Sequence, residues 1–356
     1  MQQRAEISET GCIGGLMSVT IRDVAQMAGV SASTVSRVLN GKGAISEETK
    51  KRIYDAMEQL KYVPNDFARS FATGSPHAVA LVIDVADPGA YSNNFFNNTV
   101  FGIETVAHRR DYSLMVTNGS RAFGGISSVE RLILGKKVDG VVFPISLVSR
   151  EFIRKVEELR FPCVILGRAE DVGAETSWLD INNTQAGVIA VRHLAAKGYR
   201  RIGYLGGPES DLFSRDRLSG CCRELDACGL SVDRELILHS DAKDIDAVIA
   251  QVTELLSSEN RPDALACGSD MLALGAQRAA QRLGLRVPED FGVLSFDDTA
   301  VTALAEPGIT SIEVDTFELG VQAAEILINR IENPDASIRQ TLLSTKIIAR
   351  ASTERA

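Results

Sequence analysis

Two groups of residues in this sequence carry chemistry beyond what a solvated surface or an apolar core requires. The first is compact. In "SASTVSRVLN", Val35, Val38 and Leu39 recur at helical spacing, and Ala32, Ser33, Thr34, Ser36, Arg37 and Asn40 fall on the other side. Such a helix turns outward a face that is small and rich in hydrogen-bonding groups. Small side chains permit close approach to a duplex, and an arginine there can reach guanine O6 and N7 with two parallel hydrogen bonds, so Arg37 is suited to reading a base in the major groove. The second group is dispersed. Ser146 follows the apolar run "VVFPI", Ser269 and Asp270 follow "ALACG", Asp297 and Asp298 end "VLSFDD", and Arg217 stands in "RDRLSG" beyond "GYLGGP". A guanidinium donating two hydrogen bonds and a carboxylate accepting two would hold a hydroxyl pair, so Arg217 and Asp297 together suit a sugar or another polyol. Taken singly, each of these residues equally makes a helix cap or a surface ion pair.

The first group needs a scaffold of short helices. Thr20 caps a helix with Asp23 three places on, and Ile21, Val24, Ala25 and Ala28 form its apolar face. Gly29 permits the left-handed conformation that ends a helix, Val30 plugs the corner, and Ser31 caps the helix that carries Arg37. So tight a turn predicts a helix-turn-helix. Ser46 caps a third helix, "EETKKRIYDAMEQL", whose Ile53, Met57 and Leu60 close a small core. Pro64 then breaks the helix after Tyr62-Val63. In "NDFARSFATG", Phe67 and Phe71 lie four apart on a segment too short for a core of its own. Two readings stand for it: docking onto the next domain, or a hinge helix that orders on DNA and drives an apolar wedge between base pairs in the minor groove.

The second group needs strands. From residue 77 on, "VALVIDV", "SLMVTNG", "VDGVVFPI", "CVILG", "RIGYLGGP", "ALACGSD" and "FGVLSFDD" alternate with helical patterns near 96–110, 126–136, 149–160, 184–197, 215–228, 244–257, 271–283 and 316–332. Short continuous apolar runs are the mark of parallel strands buried on both faces, and doubly wound sheets follow. Too many strands for one open sheet imply two lobes. Open parallel sheets bind ligands at the carboxyl ends of their strands, where Ser146, Ser269, Asp270 and Asp297 stand. The helix "MLALGAQRAAQRLGL" sets Leu272, Ala276 and Ala279 beside Leu283, a face that serves either a subunit contact or the core of its own lobe.

Composition narrows the function classes. The 356 residues are 45% hydrophobic, enough for large cores and two or three domains. No apolar stretch is long enough to cross a membrane and no basic-then-apolar leader opens the chain, so a cytoplasmic protein is expected. The six cysteines, among them Cys12, Cys163 and Cys228, form no CxxC pair and read as buried thiols. No phosphate loop, dinucleotide fingerprint, metal-ligand spacing or nucleophile motif occurs, and His77, His108, His193 and His239 are scattered, so neither catalysis, nor a cofactor, nor a metal is expected. The net charge of −9 is unevenly spread: residues 17–73 hold eight Lys or Arg against six Asp or Glu, while residues 74–356 carry −10. Only the N-terminal end is one a phosphate backbone tolerates.

The run "VTIRDVAQMAGVSASTVSRVLNGKGAISEETKKRIYDAMEQLKYVPNDFARS" resembles the DNA-binding headpiece and hinge of the lac repressor (LacI/GalR) family of bacterial transcription regulators, and further matches continue to about residue 350. The resemblance implies a repressor that binds double-stranded operator DNA as a homodimer, with a two-lobed core like a periplasmic sugar-binding protein and a small-molecule effector, a sugar, between the lobes. Carried over by position, it implies base contacts from Ala32, Ser33 and Arg37, and phosphate contacts from Thr20, Ser31, Thr34, Asn40, Thr49, Tyr62 and Asn65. Phe71 takes the place of the usual leucine wedge, and Asp66 that of an alanine. Arg217 corresponds to the family's effector arginine in RLxG, Asp297 to its effector aspartate, and Phe95 and Phe96 to its NPFF, with Asn94 in place of the proline. The implied layout is a headpiece over 17–63, a hinge and linker over 64–76, one lobe from 77–179 with 310–340, and a second from 180–309 with 341–356. Crossings are expected near 178–182, 308–312 and 338–344. Residues 1–16 fall outside the resemblance and read as a disordered tail or a mis-set start before Met17. A core that answers to a protein such as a phosphocarrier is a further reading, and a cytosolic solute-binding protein a remoter one.

Overall fold

The computed structural model describes residues 19–39, 43–63, 74–83, 94–119, 122–123, 126–168 and 176–355, which belong to two compact units, residues 1–76 and 77–356. Asn40, Asn65 and Phe71, the expected tail over residues 1–16 and most of the expected hinge lie outside the described residues.

In the first unit, α1 (Ile21–Ala28), α2 (Ala32–Leu39) and α3 (Glu47–Leu60) follow the capping signals of the sequence. The Asp23 carboxylate accepts both the Thr20 N–H and its hydroxyl at 2.8 Å, and these bonds hold it below the usual carboxylate range. Gly29, at φ 66°, ends α1 in the left-handed conformation. Ser31 Oγ then accepts the Thr34 N–H at 3.1 Å and opens α2, as Ser46 Oγ opens α3 by accepting the Thr49 N–H at 3.3 Å. Val24, Ala25, Ala28, Val35, Val38, Ile53 and Ala56 are buried between the three helices, with Val30, Met57, Leu60 and Tyr62 packed around them. Ala32 departs from the sequence reading. Its methyl is half-buried against the three-helix core.

The second unit holds two sheets of six strands. The first is built from β1 (Ala78–Ile83), β2 (Ser113–Asn118), β3 (Gly140–Pro144), β4 (Cys163–Leu166), β5 (Ser177–Ile181) and β11 (Gln340–Leu343), in the order β11-β5-β4-β3-β1-β2. The second is built from β6 (Ile202–Gly206), β7 (Ile237–His239), β8 (Ala264–Cys267), β9 (Gly292–Asp297), β10 (Thr310–Glu313) and β12 (Lys346–Ile348), in the order β12-β10-β9-β8-β6-β7. The two orders are the same topology used twice, each a doubly wound sheet whose strand order reverses beside its first strand. Within these two sheets, among the described residues, all pairs are parallel except β10 with β12. Central strands β1, β6 and β8 are buried along their whole length, as continuous apolar runs require. Strand β2 is different: it lies at the sheet edge and leaves Met115 and Val116 exposed.

Helices α4 (Asn94–Arg109), α5 (Ser128–Leu134), α6 (Arg150–Glu158) and α12 (Thr316–Glu332) belong with the first sheet. Helices α7 (Asn183–Ala196), α8 (Leu212–Ala227), α9 (Ile245–Ser257), α10 (Asp270–Arg282) and the short α11 (Ala300–Leu304) belong with the second. Leu272, Ala276 and Ala279 of α10 are buried in the core of the second lobe, while Leu283, just past α10, stays exposed.

The chain passes between sheets after Ile181, between Glu313 and Thr316, and between Leu343 and Lys346. The second passage corrects the expected crossing at 308–312 and the assignment of residues from 310 to the first lobe. Thr310–Glu313 pairs with β9, so that run stays in the second sheet and the chain crosses only after it. Likewise β5 completes the first sheet past residue 179, and β11 belongs to the first sheet past residue 340. Of the cysteines, Cys221 and Cys267 are buried, but Cys228, at the end of α8, is exposed, which corrects the reading of all six as buried thiols. Among the described residues no helix is long and apolar enough to cross a membrane.

Candidate nucleic-acid interface and effector cleft

On the first unit, Thr20, Ser31 and Thr49 stand at the N-terminal ends of three helices, while Arg37 lies in the last turn of α2 and Tyr62 just past α3. Ser33 and Arg37 are exposed on α2, and Thr34 is half-buried. Ser31 Oγ lies 2.8 Å from both Ser33 Oγ and Thr34 Oγ1, so the three hydroxyls form one network at the helix start. A helix N-terminus with unpaired N–H groups attracts phosphate, and Thr20, Ser31 and Thr49 each stand at one. At α1 that role is contested, since the Thr20 N–H and hydroxyl already serve Asp23. The Tyr62 ring packs against the three-helix core, and burial raises its hydroxyl pKa.

On the second unit, Arg217 is the centre of the site. It projects from α8 and its side chain is almost fully buried. Its Nε donates to Asn183 Oδ1 at 2.9 Å, its Nη1 to the Gly268 carbonyl at 2.6 Å, and its Nη2 lies 3.5 Å from Asp297 Oδ1. The Phe296 ring centroid lies 4.7 Å from the guanidinium carbon and that of Phe213 5.3 Å. Two of its three nitrogens are therefore spent within the lobe. This revises the expected two-pronged donor: Nη2, beside Asp297, is the part of the guanidinium turned to the carboxylate.

Two glycines bring α8 close enough to α7 for this. An added Cβ on Gly220 would sit 2.0 Å from the Thr184 carbonyl oxygen, and one on Gly187 would sit 2.1 Å from that of Arg217. No other residue allows backbones to approach so closely. The helices touch along these glycines, and Asn183 at the start of α7 thereby comes within hydrogen-bonding distance of Arg217.

Asp297 ends β9 at φ 103°, a conformation strained for any side chain but held here by the adjacent strands. Its carboxyl pKa is pushed up to about 6: burial is the main cause, Arg217 opposes it, and Asp270 adds to it. With a side chain about 36% exposed, Asp297 is the acidic group of this cluster that opens toward solvent. Asp270 is otherwise engaged. One carboxylate oxygen accepts the Ser295 hydroxyl and the other the Thr299 N–H at 2.7 Å, so it ties β9 and its following loop to α10. Ser269 Oγ accepts the Leu272 N–H at 3.4 Å as the cap of α10. Asp298 is bound by Arg350 and Thr302. The strand-end signal picked out Ser269, Asp270 and Asp297 alike, but the first two are structural.

The other expected contacts belong to the first lobe. Ser146 is exposed in the turn Ile145–Leu147 after β3. Phe96, in the first turn of α4, packs against the core of the first lobe, and Phe95 precedes it on the helix. Sequence reasoning missed Arg168, which follows β4. Its guanidinium reaches across to Asp216 of α8, with Nε 3.0 Å from Oδ2 and Nη2 2.7 Å from Oδ1. The strand-end rule applied to "CVILG" would have found Arg168. Asn183 had no signal beyond its place after a lobe crossing.

A model for bacterial regulatory proteins of the lacI family matches residues 20–65, and one for a periplasmic binding protein-like domain matches residues 191–353. The regulator CelR of Thermobifida fusca is 32% identical over 337 residues, covering 94% of this chain and 98% of that one. This chain belongs to the LacI family. The transcriptional repressor PurR of Actinobacillus pleuropneumoniae serotype 3 (strain JL03) is 31% identical, covering 88% of this chain and 91% of that protein. Among solved structures, a complex of CelR with cellobiose shares 30% identity and superposes with a TM-score of 0.68 over 94% of this chain and 99% of that one. The lac repressor dimer bound to operator and the anti-inducer ONPF shares 26% identity, with a TM-score of 0.75 over 94% and 99%. As a LacI-family protein, the chain is a DNA-binding transcriptional repressor: α1–α3 make its lacI-type headpiece, and the two-sheet core is its effector-responsive part.

Proposed function

We propose that this LacI-family repressor binds a near-palindromic operator as a homodimer and that its operator affinity is set by a neutral polyol, a sugar, held between the lobes of the core. On the DNA side, Arg37 and Ser33 read base edges with Ala32 packed close beside them. Thr20, Ser31, Thr34, Asn40, Thr49, Tyr62 and Asn65 hold phosphates, and Phe71 enters the minor groove. The exposed edge of β2, with Met115 and Val116, supports association with a second copy, because an uncovered apolar strand edge invites pairing.

One observation carries the effector reading. The positive charge of Arg217 already faces Asp297, and two of its nitrogens are hydrogen-bonded within the lobe. What the second lobe offers a ligand is therefore the Asp297 carboxylate, an acceptor for hydroxyl donors, with the exposed ring of Phe213 on the same helix as Arg217. Ser146, Phe95 and Phe96 complete the contacts from the first lobe. Among the described residues, an anionic ligand beside Arg217 would meet the Asp297 carboxylate and a guanidinium already bonded within the lobe. The cellobiose bound by CelR is a ligand of the kind this chemistry takes.

Thermal denaturation of the full-length protein against cellobiose, other neutral sugars, hexose phosphates and purine bases tests this. A ligand present at 100 times its dissociation constant adds about 2.7 kcal/mol. Stabilisation by a neutral sugar that is lost in Asp297→Ala supports the reading. Stabilisation by a hexose phosphate or a purine with no response to any neutral sugar would overturn it.

A further inference from the structure

We infer that Arg168 and Asp216 form a clasp between the two lobes of the core, a contact made by the protein's own side chains that limits how far the cleft opens. The inference stands apart from the identity of the effector. Arg168 belongs to the first lobe, beyond Gly167 at the end of β4, and Asp216 to α8 of the second. The pair is bidentate, with both nitrogen–oxygen distances at or below 3.0 Å. That geometry fixes two planar groups relative to each other, which a single-point contact between long side chains does not. Its side chains are 30% and 17% exposed, so solvent screens it less than a pair on an open surface.

The clasp is also built into the hinge. The Arg168 N–H donates to Asp180 Oδ2 at 2.8 Å, while Asp180 Oδ1 accepts the Ile181 N–H at 2.7 Å. Asp180 thus ties the base of Arg168 to the point where the chain leaves the first lobe. Gly167 makes the aim possible. At φ 109°, it takes the chain past Ile145 where an added Cβ would lie 2.4 Å from that side chain. On the other side, Asp216 directly precedes Arg217, and the glycine contact locks α8 to α7, whose first residue follows the same crossing. One ion pair therefore joins the hinge-proximal end of the first lobe to the helix that carries Arg217. The three crossings are short extended or irregular segments, which resist bending little by themselves. A direct bond across the cleft is then a large share of what restrains lobe rotation.

Amide hydrogen exchange on the full-length protein tests this, because opening that leaves both lobes folded is read at the crossings and not in the sheets. Among the crossing bonds is the Asn182 N–H to the Leu343 carbonyl at 2.8 Å. Asp216→Asn and Arg168→Gln should each speed exchange at residues 181–183 and 343–345 about fivefold, as loss of a partly shielded ion pair allows. The double variant should go no further than either single, since all three lack the same bond. The exchanged pair, Arg168→Asp with Asp216→Arg, should recover part of the protection. Unchanged exchange at the crossings in both singles would overturn the clasp. So would acceleration spread equally through β3 and β8 that the exchanged pair does not reverse, since the residues would then support the folding of each lobe and not the relation between lobes.

Discussion

Replacing Gly220 with alanine tests whether helix contact positions Arg217. The added methyl would lie 2.0 Å from the Thr184 carbonyl oxygen and 2.9 Å from its carbonyl carbon, both backbone atoms with no rotamer to yield. Restoring ordinary contact requires α7 and α8 to separate by about 1 Å or more. The Arg217 Nε to Asn183 Oδ1 bond spans these same helices at 2.9 Å, so that separation takes it beyond hydrogen-bonding distance. Overpacking costs about 1–3 kcal/mol, and loss of a buried hydrogen bond to a charged group about 1.5–3 kcal/mol. Alanine's better helix propensity returns about 1 kcal/mol. The expected net loss is about 1.5–5 kcal/mol, read as a fall in the urea midpoint at unchanged m-value. Gly207→Ala is the control, because a Cβ there meets only Asp211 Oδ2, at 3.7 Å. If Gly220→Ala costs no more than Gly207→Ala, the close helix contact does not hold Arg217 in place and the account of the site fails.

Three further outcomes are expected. Arg37→Ala should cost about 1–3 kcal/mol of operator affinity and relax discrimination at one base pair per half-site, measured by binding to single-substitution operators; equal weakening on every sequence would make Arg37 a phosphate contact. The raised pKa of Asp297, about 6 against 3.8, means the folded protein binds a proton that the unfolded chain releases, so this group's contribution to stability grows as pH falls from about 6 toward 4 and is lost as pH rises through 6. Urea unfolding of wild type and Asp297→Asn between pH 4 and 7 reads this, and identical slopes would contradict it. Phe71→Ala should weaken operator binding and shrink the effect of a stabilising sugar on it, with sugar affinity of the free protein unchanged; full retention of both, by fluorescence anisotropy, would reassign Phe71 to packing.

The headpiece was legible in sequence because its determinants are local: caps, a glycine turn and apolar residues three and four apart lie within a few residues of the bonds they specify. Continuous apolar runs likewise announced parallel strands, and alternation with helices announced doubly wound sheets. Which sheet a strand joins is a different matter. Thr310–Glu313 reads as a strand from its own residues, but only pairing with β9 puts it in the second lobe, and that partner is remote in sequence. The same limit governs the cleft. Asp297 was visible as an acceptor at a strand end and Arg217 as a donor beyond a later loop, whereas Asp270, also at the end of a strand run, turns its carboxylate to Ser295 and Thr299. Arg168 meets Asp216 only because a glycine aims one strand end and two others seat one helix. Residue type sets what a side chain can bond; the tertiary structure decides which neighbour reaches it first, because hydrogen bonds are short and directional and each donor or acceptor is satisfied by whatever the fold brings within about 3 Å.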